Sequence, residues 1–541
     1  MKIKLIVLLV FLLSVLSADA QTAPADSLRP LNILPPTQRQ SFQKLPDGTE
    51  LQILAGTVKV RQGTTYFYCD SLVVNTNTRI LEAFGRVHIN DSDTAHVYSN
   101  YLRYLLNERK AFLTGNVKLT DGHGTLTTNN LEYDVATKVG TYRNGGRVVN
   151  KKSVLTSDEG VYYADIRDVY FKKNVKLKDP SYSLQTDSMI YNTETQTARF
   201  ITETFMIDSS GRTIQTREGY YDLREGRAEF TQRTRIQDKS MVVLGDQIAN
   251  DDKSGIVQIR GNGVLIDTAQ GINILANEIF ANKNTGAYLA TKKPLMIIRQ
   301  EKDSIYIAAD TLFSARLTDL YKTADTTQKH TDSTIAKSSK AKASSTPPRV
   351  NNDSTNRYFE AFRNVRIFSD SVQAVSDSAF YSFKDSTFRL YDNPVVWSRK
   401  SQILGDTIYL FTKNKKADQI KVFENSFVIN ENEAGIYNQV KATRMDGYFK
   451  EGTIDTIGAQ GNAETIYFIQ DDDSAYTGVN QTTSDDMDVY FDKGSLQKVV
   501  FRRAVKGTLT PISQKDPSAA RLERFQWLES RRPKTKYELF E

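Results

Sequence analysis

The chain has 541 residues, with 71 Lys and Arg, 64 Asp and Glu, and a single cysteine. A net charge of +7 over this length is close to neutral, so composition does not indicate a nucleic-acid-binding protein. Cys69 alone excludes an intrachain disulfide and a thiolate metal site. The 27 Tyr and 26 Phe, together with many Thr, Val and Ile residues, favour strands over helices.

The N-terminus has the pattern of a secretory signal peptide. Two lysines precede an apolar run at residues 5–16, and the motif Ala18-Asp19-Ala20 predicts cleavage after Ala20. The run is shorter than the roughly 20 residues that cross a bilayer, which argues against an uncleaved anchor. Gln21 occupies the position where a bacterial lipoprotein has Cys. We therefore expect an exported and soluble mature protein.

A strand motif of the form Val-x-apolar recurs about every 30 residues, often with Gly two positions before the valine. Its copies are Val58-Lys59-Val60, Val87-His88-Ile89, Val117-Lys118-Leu119, a degenerate Val148-Val149-Asn150, Val175-Lys176-Leu177, Val264-Leu265-Ile266 and Val365-Arg366-Ile367. A polar residue between two apolar ones predicts a strand with one buried and one solvent-facing side.

Each period also contains a second motif, in which Asp or Asn precedes an apolar residue by two positions and often an aromatic one by four. It occurs at Asp70, Asn100, Asn129, Asp187, Asp246, Asn277, Asp310, Asp377, Asp406 and Asp485. A polar turn usually follows, and a third strand leads to the next valine. Each unit is thus predicted to contain about three short strands. Because one unit cannot bury its apolar side alone, the units should stack into an elongated structure.

The repeats define the predicted domain organisation. The segments are a signal peptide at 1–20, a leader at 21–47, a first repeat block at 48–318, a disordered Ser/Thr/Lys-rich insertion at 319–357, a second repeat block at 358–510 and a basic tail at 511–541. Within the tail, residues 521–528 are compatible with a short helix before Pro533. The basic residues of the tail are interpreted as a solvated surface, with a docking site as the alternative.

Enzyme interpretations find little support. The four histidines, His88, His96, His123 and His330, show no metal-ligand spacing. No nucleophile elbow, P-loop or dinucleotide-binding motif is present. The run Asp471–Asp473 lacks the spaced ligands of a calcium loop. A polysaccharide-degrading parallel β-helix is the main enzyme alternative, but no Asp/Glu pair stands apart from the repeat. No catalytic residue, metal or cofactor is therefore predicted.

The recurring Asp-x-Leu-x-Tyr strand followed by Gly-x-Val-x-Val resembles the OstA/LptA family of periplasmic lipopolysaccharide-transport proteins. The segment Ser484–Phe491 is similar to the Ala-Asp-x-Leu-x-Val-Tyr-Phe signature of that family. The resemblance implies an all-β fold, an elongated twisted β-jelly-roll whose stacked units form an open trough. It also implies that lipid A acyl chains lie in the apolar interior and that the sugars project into solvent. The implied setting is the periplasm of a Gram-negative bacterium.

The resemblance and the alternation together give a set of candidate lipid-groove residues. These are Leu72, Val74, Leu102, Tyr104, Leu131, Tyr133, Met189, Tyr191, Ile248 and Leu312. The alternative for each is a packed core without a groove. Implied partners are lipopolysaccharide or lipid A and the inner- and outer-membrane components of the export machinery, with self-association possible but not required. The alternatives for the whole chain are a structural or adhesive repeat protein without lipid, and a carbohydrate-active enzyme.

Overall fold

The structure is a computed structural model and describes residues 30–93, 95–299, 304–320, 356–414 and 416–540. The predicted signal peptide and most of the predicted insertion lie outside the described residues. The chain divides into two compact units, residues 1–206 and 207–541. The described residues form 40 strands with only short helical turns, so the all-β fold class predicted from the sequence is confirmed. None of the described helices is long and apolar enough to span a membrane.

Unit 1 is built from antiparallel strands. They are β1 (Leu31–Leu34), β2 (Arg39–Lys44), β3 (Glu50–Gln62), β4 (Thr65–Asn75), β5 (Ile80–Asp91), β6 (Ala95–Leu105), β7 (Lys110–Thr120), β8 (Thr125–Asp134), β9 (Val139–Tyr142), β10 (Gly146–Asn150), β11 (Ser153–Ser157), β12 (Glu159–Tyr163), β13 (Asp168–Lys178), β14 (Tyr182–Asn192) and β15 (Thr197–Phe200). Strand β16 (Thr204–Asp208) contains the unit boundary. β1 and β2, within the predicted leader, both pair with β3.

Unit 2 continues the same pattern. Its strands are β17 (Thr213–Thr216), β18 (Gly219–Asp222), β19 (Arg227–Phe230), β20 (Thr234–Asp238), β21 (Met241–Gly245), β22 (Gln247–Asp251), β23 (Ile256–Asp267), β24 (Ile272–Asn282), β25 (Ala287–Thr291), β26 (Leu295–Arg299), β27 (Ser304–Ala308), β28 (Thr311–Arg316), β29 (Arg357–Phe368), β30 (Gln373–Ser382), β31 (Thr387–Tyr391), β32 (Val395–Ser398), β33 (Ser401–Leu404), β34 (Thr407–Lys413), β35 (Lys416–Glu433), β36 (Ile436–Lys450), β37 (Thr453–Gln470), β38 (Tyr476–Asp492), β39 (Ser495–Arg502) and β40 (Lys506–Pro511). Short 3-10 turns follow at Ile512–Gln514, Pro517–Ala519, Glu529–Arg531 and Lys536–Phe540.

The long strands are bent at a two-residue bulge. In β5 the bulge is Gly85-Arg86, with φ angles of 69° and 41°, and the pairing register with β4 shifts there. The Asp70 carboxylate accepts a hydrogen bond from Arg86 Nε at 2.8 Å. A Cβ atom on Gly85 would lie 2.4 Å from an oxygen of that carboxylate, so glycine is needed where the aspartate clasps the bulge. The same clasp joins Asp246 to Asn262 at 2.7 Å.

The bulge corrects the predicted number of strands. In several units the third predicted strand and the following Val-x-apolar strand are two halves of one strand, as in β5, because the bulge bends the strand without ending it. A period of about 30 residues then holds two long strands where the prediction had three short ones, whereas other periods, such as the one that contains β9 to β12, hold four short strands. The predicted copy Val264-Leu265-Ile266 is also wrong by one residue. Gly263 and Leu265 (1% exposed) face the interior, because the bulge of β23 lies at Gly261-Asn262.

The bulges divide unit 1 into two walls that enclose the apolar interior. Wall A comprises residues 58–62, 65–69, 87–91, 95–99, 117–120, 125–128, 146–150, 153–157, 175–178 and 182–186. Wall B comprises residues 50–55, 71–75, 80–84, 101–105, 110–114, 130–134, 139–142, 159–163, 168–172, 188–192 and 197–200. The inner faces of the walls touch: the rings of Phe67 (wall A) and Tyr104 (wall B) have centroids 4.9 Å apart.

In unit 2, residues 520–539 form a strap that runs back over the outer face of the sheet. Ala520 and Leu522 are buried against Phe427 and Ile429, and Leu528 packs on Trp397. Leu539 continues the contact on Leu295 and Ala308. The predicted helix at residues 521–528 is wrong, since the structure places no helix there.

Buried glutamines on the strands bind the backbone of the strap. Gln439 Nε2 donates to the Ala520 carbonyl at 2.8 Å, and Gln439 Oε1 accepts from the Leu522 amide at 2.8 Å. Gln402 holds the Gln526 carbonyl and the Leu528 amide in the same way, both at 2.7 Å. One repeat further, Gln373 Oε1 accepts from the Arg532 guanidinium at 2.6 and 2.9 Å. Arg532 is therefore not a solvated tail residue, whereas Arg524 and Arg531 are exposed.

The glutamine contacts predict a stability effect. Replacing Gln439 with Ala leaves a buried carbonyl and a buried amide of the strap without partners, which should lower the free energy of unfolding by about 1–3 kcal/mol. Urea unfolding followed by circular dichroism measures this difference. Gln460→Ala, at an exposed position of β37, is the matched control and should change stability by less than about 0.5 kcal/mol. Equal midpoints for the two variants would contradict a structural role for the strap.

Candidate lipid-binding site

The leucine positions proposed from the sequence lie in one row along the inner face of wall B. Cross-strand pairing links Leu72 through Ala83 to Leu102, and Leu102 through Leu113 to Leu131. Met189 pairs with Phe171 in the same wall. These four candidates are between 0% and 2% exposed. The sequence pattern therefore identified inward-facing positions of unit 1 correctly, and their role as lipid contacts stays a prediction.

The remaining candidates are also interior. Val74, Tyr104, Tyr133 and Tyr191 lie two residues further along their strands and are at most 6% exposed. Along this second row, Tyr104 pairs with Ala111 and Tyr133 with Gly140, so a small residue on the next strand leaves room for each ring. In unit 2, Ile248 pairs with Ile259, and Leu312 pairs with Ala290 and Ala361, which again forms a buried apolar row.

The tyrosines of the second row close the interior along one side. Their hydroxyls reach polar residues at the far ends of the wall A strands, one partner per repeat. The bonds of this tyrosine seam are Tyr104 to Gln62 at 2.7 Å, Tyr133 to Asp91 at 3.2 Å, Tyr162 to Asp121 at 2.7 Å, and Asn150 to Tyr191 at 3.5 Å. Sequence reasoning found three of these tyrosines but not their partners. The partners could have been found from their spacing, because the polar residues at positions 62, 91, 121 and 150 recur with the same period of about 30 residues.

Burial at the seam favours the neutral tyrosines. Burial raises the pKa of Tyr104 to about 12 and the pKa of Tyr191 to about 12. Burial also raises the pKa of Asp121, but hydrogen bonds from the Gly124 amide and the Tyr162 hydroxyl outweigh it and hold the pKa of that carboxyl below its usual value. The seam thus combines protonated phenols with polar partners and is stable at neutral pH.

In unit 2 an ionic cluster joins the corresponding strand ends. The Asp252 carboxylate accepts from Arg212 Nη1 at 3.2 Å and from the Tyr221 hydroxyl at 3.1 Å. Burial alone would raise the pKa of Asp252, but the hydrogen bond from Asn250 and the charge of Arg212 lower it to about 2. Lys283 lies beside the same carboxylate at 3.4 Å.

The ten candidate residues are at most 6% exposed, so other side chains surround them in the described interior. A cavity of about 10 Å³ lies beneath Tyr162 and Thr193 in unit 1, and one of about 30 Å³ lies beside Phe388 and Leu410 in unit 2. Spaces of this size hold no more than about one water molecule. An acyl chain can therefore occupy the interior only if the walls separate. Across the ranges that the structure describes, no three His, Cys, Asp or Glu side chains are placed to hold a metal ion.

The raised tyrosine pKa values predict a pH dependence. Below pH 10 a tyrosine is neutral in both folded and unfolded chains. Between pH 10 and about 12 it ionises first in the unfolded chain, so the unfolding free energy should fall over this interval. Urea unfolding at stepped pH values measures the slope. Tyr104→Phe should lower stability by about 1 kcal/mol at pH 7 and make the alkaline fall less steep. An unchanged slope in this variant would contradict the seam.

Comparison with known proteins finds a family to which part of the chain is similar. Residues 37–187, most of unit 1, match the family described as OstA-like protein. No curated protein matches the chain. Among solved structures, the chain is similar to LptH of Pseudomonas aeruginosa, described as the LptA-homologous periplasmic component of the lipopolysaccharide transport device. The identity is 17%, the match covers 22% of this chain and 84% of that chain, and the TM-score is 0.19. Over residues 37–187 the chain is similar to the family described as OstA-like protein.

Proposed function

We propose that the protein is a non-enzymatic carrier or bridge for lipopolysaccharide in the cell envelope of a Gram-negative bacterium. In this function the acyl chains lie between wall A and wall B and contact the inner rows that contain Leu102 and Tyr104. The protein acts in the periplasm between inner- and outer-membrane components of the export machinery. The OstA-like match supports this proposal, and so does a buried apolar row that runs unbroken from strand to strand.

The continuous apolar interior is the observation that carries the proposal. A 14-carbon acyl chain released into water exposes apolar surface at roughly 0.8 kcal/mol per methylene, or about 10 kcal/mol in all. Several such chains need a long apolar surface along their path. The inner rows of unit 1 supply one because strand pairing places inward apolar residues side by side at spacings of about 4.8 Å.

Insertion of a chain requires the two walls to part, and the tyrosine seam is the place where they part most easily. Three further hydrogen bonds join the same ends of the walls, from Gln62 and Asn150 to the Leu106 and Thr193 carbonyls and from the Thr193 hydroxyl to Asp121. At a net of about 1 kcal/mol each, these and the four seam bonds together contribute about 7 kcal/mol. Acyl burial exceeds this sum, and the lipid replaces the apolar contacts that the walls lose. The opposite side, by contrast, is continuous backbone through the bulges.

A structural repeat protein without lipid cargo is the second candidate. The burial of the candidate residues favours this function, because their side chains already pack against one another without a lipid. The two functions differ in whether lipid reaches the inner rows in cells.

Photo-crosslinking from β6 distinguishes them. Tyr104 points inward and is 0% exposed, whereas Tyr101, on the same strand, points outward and is half-buried. Azidophenylalanine is close to tyrosine in size, so both sites should accept it. On irradiation of cells we expect the probe at position 104 to attach to lipopolysaccharide and the probe at position 101 to remain unattached. Gel shift with detection of lipopolysaccharide measures the products.

Two outcomes would decide against lipid transport. Absence of a lipid adduct at position 104, with the folded protein present at its normal level, favours the structural repeat protein. Equal adducts at positions 101 and 104 indicate non-specific contact with membranes. A melting curve of each labelled protein controls for damage to the fold.

A further inference from the structure

The outer face of wall A in unit 1 carries an unusual charge pattern. Pairing places its outward residues in two rows across ten strands. The first row is Lys59, Tyr68, His88, Tyr98, Lys118, Thr127, Arg147, Thr156, Lys176 and Gln185, and the second is Arg61, Tyr66, Asn90, His96, Thr120, Thr125, Val149, Val154, Lys178 and Ser183. These rows hold six Lys or Arg and no Asp or Glu, although the whole chain has 71 basic and 64 acidic residues. We call this surface the basic face.

The outer face of wall B provides a comparison within the same unit. Its middle row is Ile53, Val73, Glu82, Arg103, Phe112, Glu132, Thr141, Val161, Tyr170, Ile190 and Arg199. This row mixes two acids with two bases. The one-sided charge is therefore a property of wall A, not of the exposed strands in general.

Several cations of the basic face contact aromatic rings: Lys59 and Arg61 lie over the Tyr66 ring, and Lys118 Nζ lies 5.7 Å from the centroid of the Tyr98 ring. Lys118, Arg147 and Lys176 are exposed, and no carboxylate pairs with them among the described residues. They lie on every second strand, which places them about 10 Å apart. Further along the row, the rings of Tyr68, His88 and Tyr98 stack on one another with centroids 5.2 and 4.4 Å apart. Because these ring faces are occupied, the face offers charge rather than a stacking platform for sugars.

The basic face borders the tyrosine seam. Arg61 is adjacent in sequence to the seam residue Gln62, and the second row passes beside Asp91, Asp121 and Asn150 in the same way. A lipid whose chains enter at the seam must leave its headgroup at this border. Arg61 and Lys178 lie in the row beside this border, and Lys118, Arg147 and Lys176 lie one row further from it on the same face.

We propose that the basic face binds the phosphate groups of a phosphorylated glycolipid headgroup while its acyl chains occupy the interior. This proposal rests on the proposed function. An anionic membrane surface fits less well, because adjacent strands rotate by roughly 20–25° and ten strands turn the face through about 200°. A flat membrane meets only part of such a surface, whereas separate headgroups bind at any strand along it.

Binding of lipid A with and without its phosphates to the full chain tests the proposal. The probes are bisphosphorylated lipid A and the same lipid with both phosphates removed, each displacing a fluorescent fatty acid. We expect the unaltered chain to bind the bisphosphorylated form about tenfold more tightly at low salt and to lose this preference at high salt. The triple variant Lys118→Gln, Arg147→Gln, Lys176→Gln should lose the same factor for the bisphosphorylated form and less than twofold for the dephosphorylated form.

A matched triple variant controls for net charge. Arg103→Gln, Lys172→Gln and Arg199→Gln remove three exposed cations from the outer face of wall B and should leave both affinities unchanged. Melting curves confirm that both triple variants fold.

The remaining outcomes separate the two proposals. Tight binding of both lipids with no preference for phosphate overturns the headgroup site and leaves the lipid carrier intact. Binding of neither lipid overturns the carrier function itself. Loss of binding to phosphatidylglycerol vesicles in the Lys118 triple variant, with its lipid A affinity unchanged, assigns the basic face to a membrane surface and overturns the headgroup site.

Discussion

The clasped bulge is the constraint on which the architecture depends. Two successive left-handed residues are unfavourable for most side chains, and the repeat aspartate stabilises them by a hydrogen bond, as Asp70 does for Gly85-Arg86. Each clasp bends a strand so that its two halves enter different walls. The inner rows, the interior between the walls and the seam at their far ends all follow from that bend.

Sequence patterns predicted the interior well and its closure poorly. Alternation within each strand identified Leu72, Leu102 and Leu131 because burial has a local period of two. The partner of Tyr133 is Asp91, 42 residues earlier, and only the folded bend brings the two together. The prediction at Val264 was wrong for a related reason. The bulge at Gly261-Asn262 determines that Gly263 and Leu265 face inward, and the position of a bulge depends on backbone angles that no single residue type determines.

The conformation of the C-terminal strap also could not be predicted from local sequence. Residues 521–528 taken alone are compatible with a helix. In the structure the side-chain amides of Gln402 and Gln439 hydrogen-bond to backbone groups of this segment, which replaces the hydrogen bonds that a helix would form. The strap also changes the chemistry of the wall that it covers. In unit 1 the corresponding outer face carries Lys118 and Arg147 in solvent, whereas in unit 2 residues such as Phe427 and Trp397 are covered. One repeat pattern thus supports a charged surface and an apolar one.

The strap has a consequence for biosynthesis. Residues 520–539 leave the ribosome after every strand that they cover, so the apolar residues of unit 2 have no cover while the chain is incomplete. Unpaired strand edges and exposed aromatic surface at that stage favour aggregation. A chain truncated before residue 520 would expose Phe427, Ile429 and Trp397 to solvent, so the docked strap makes unit 2 less prone to aggregate.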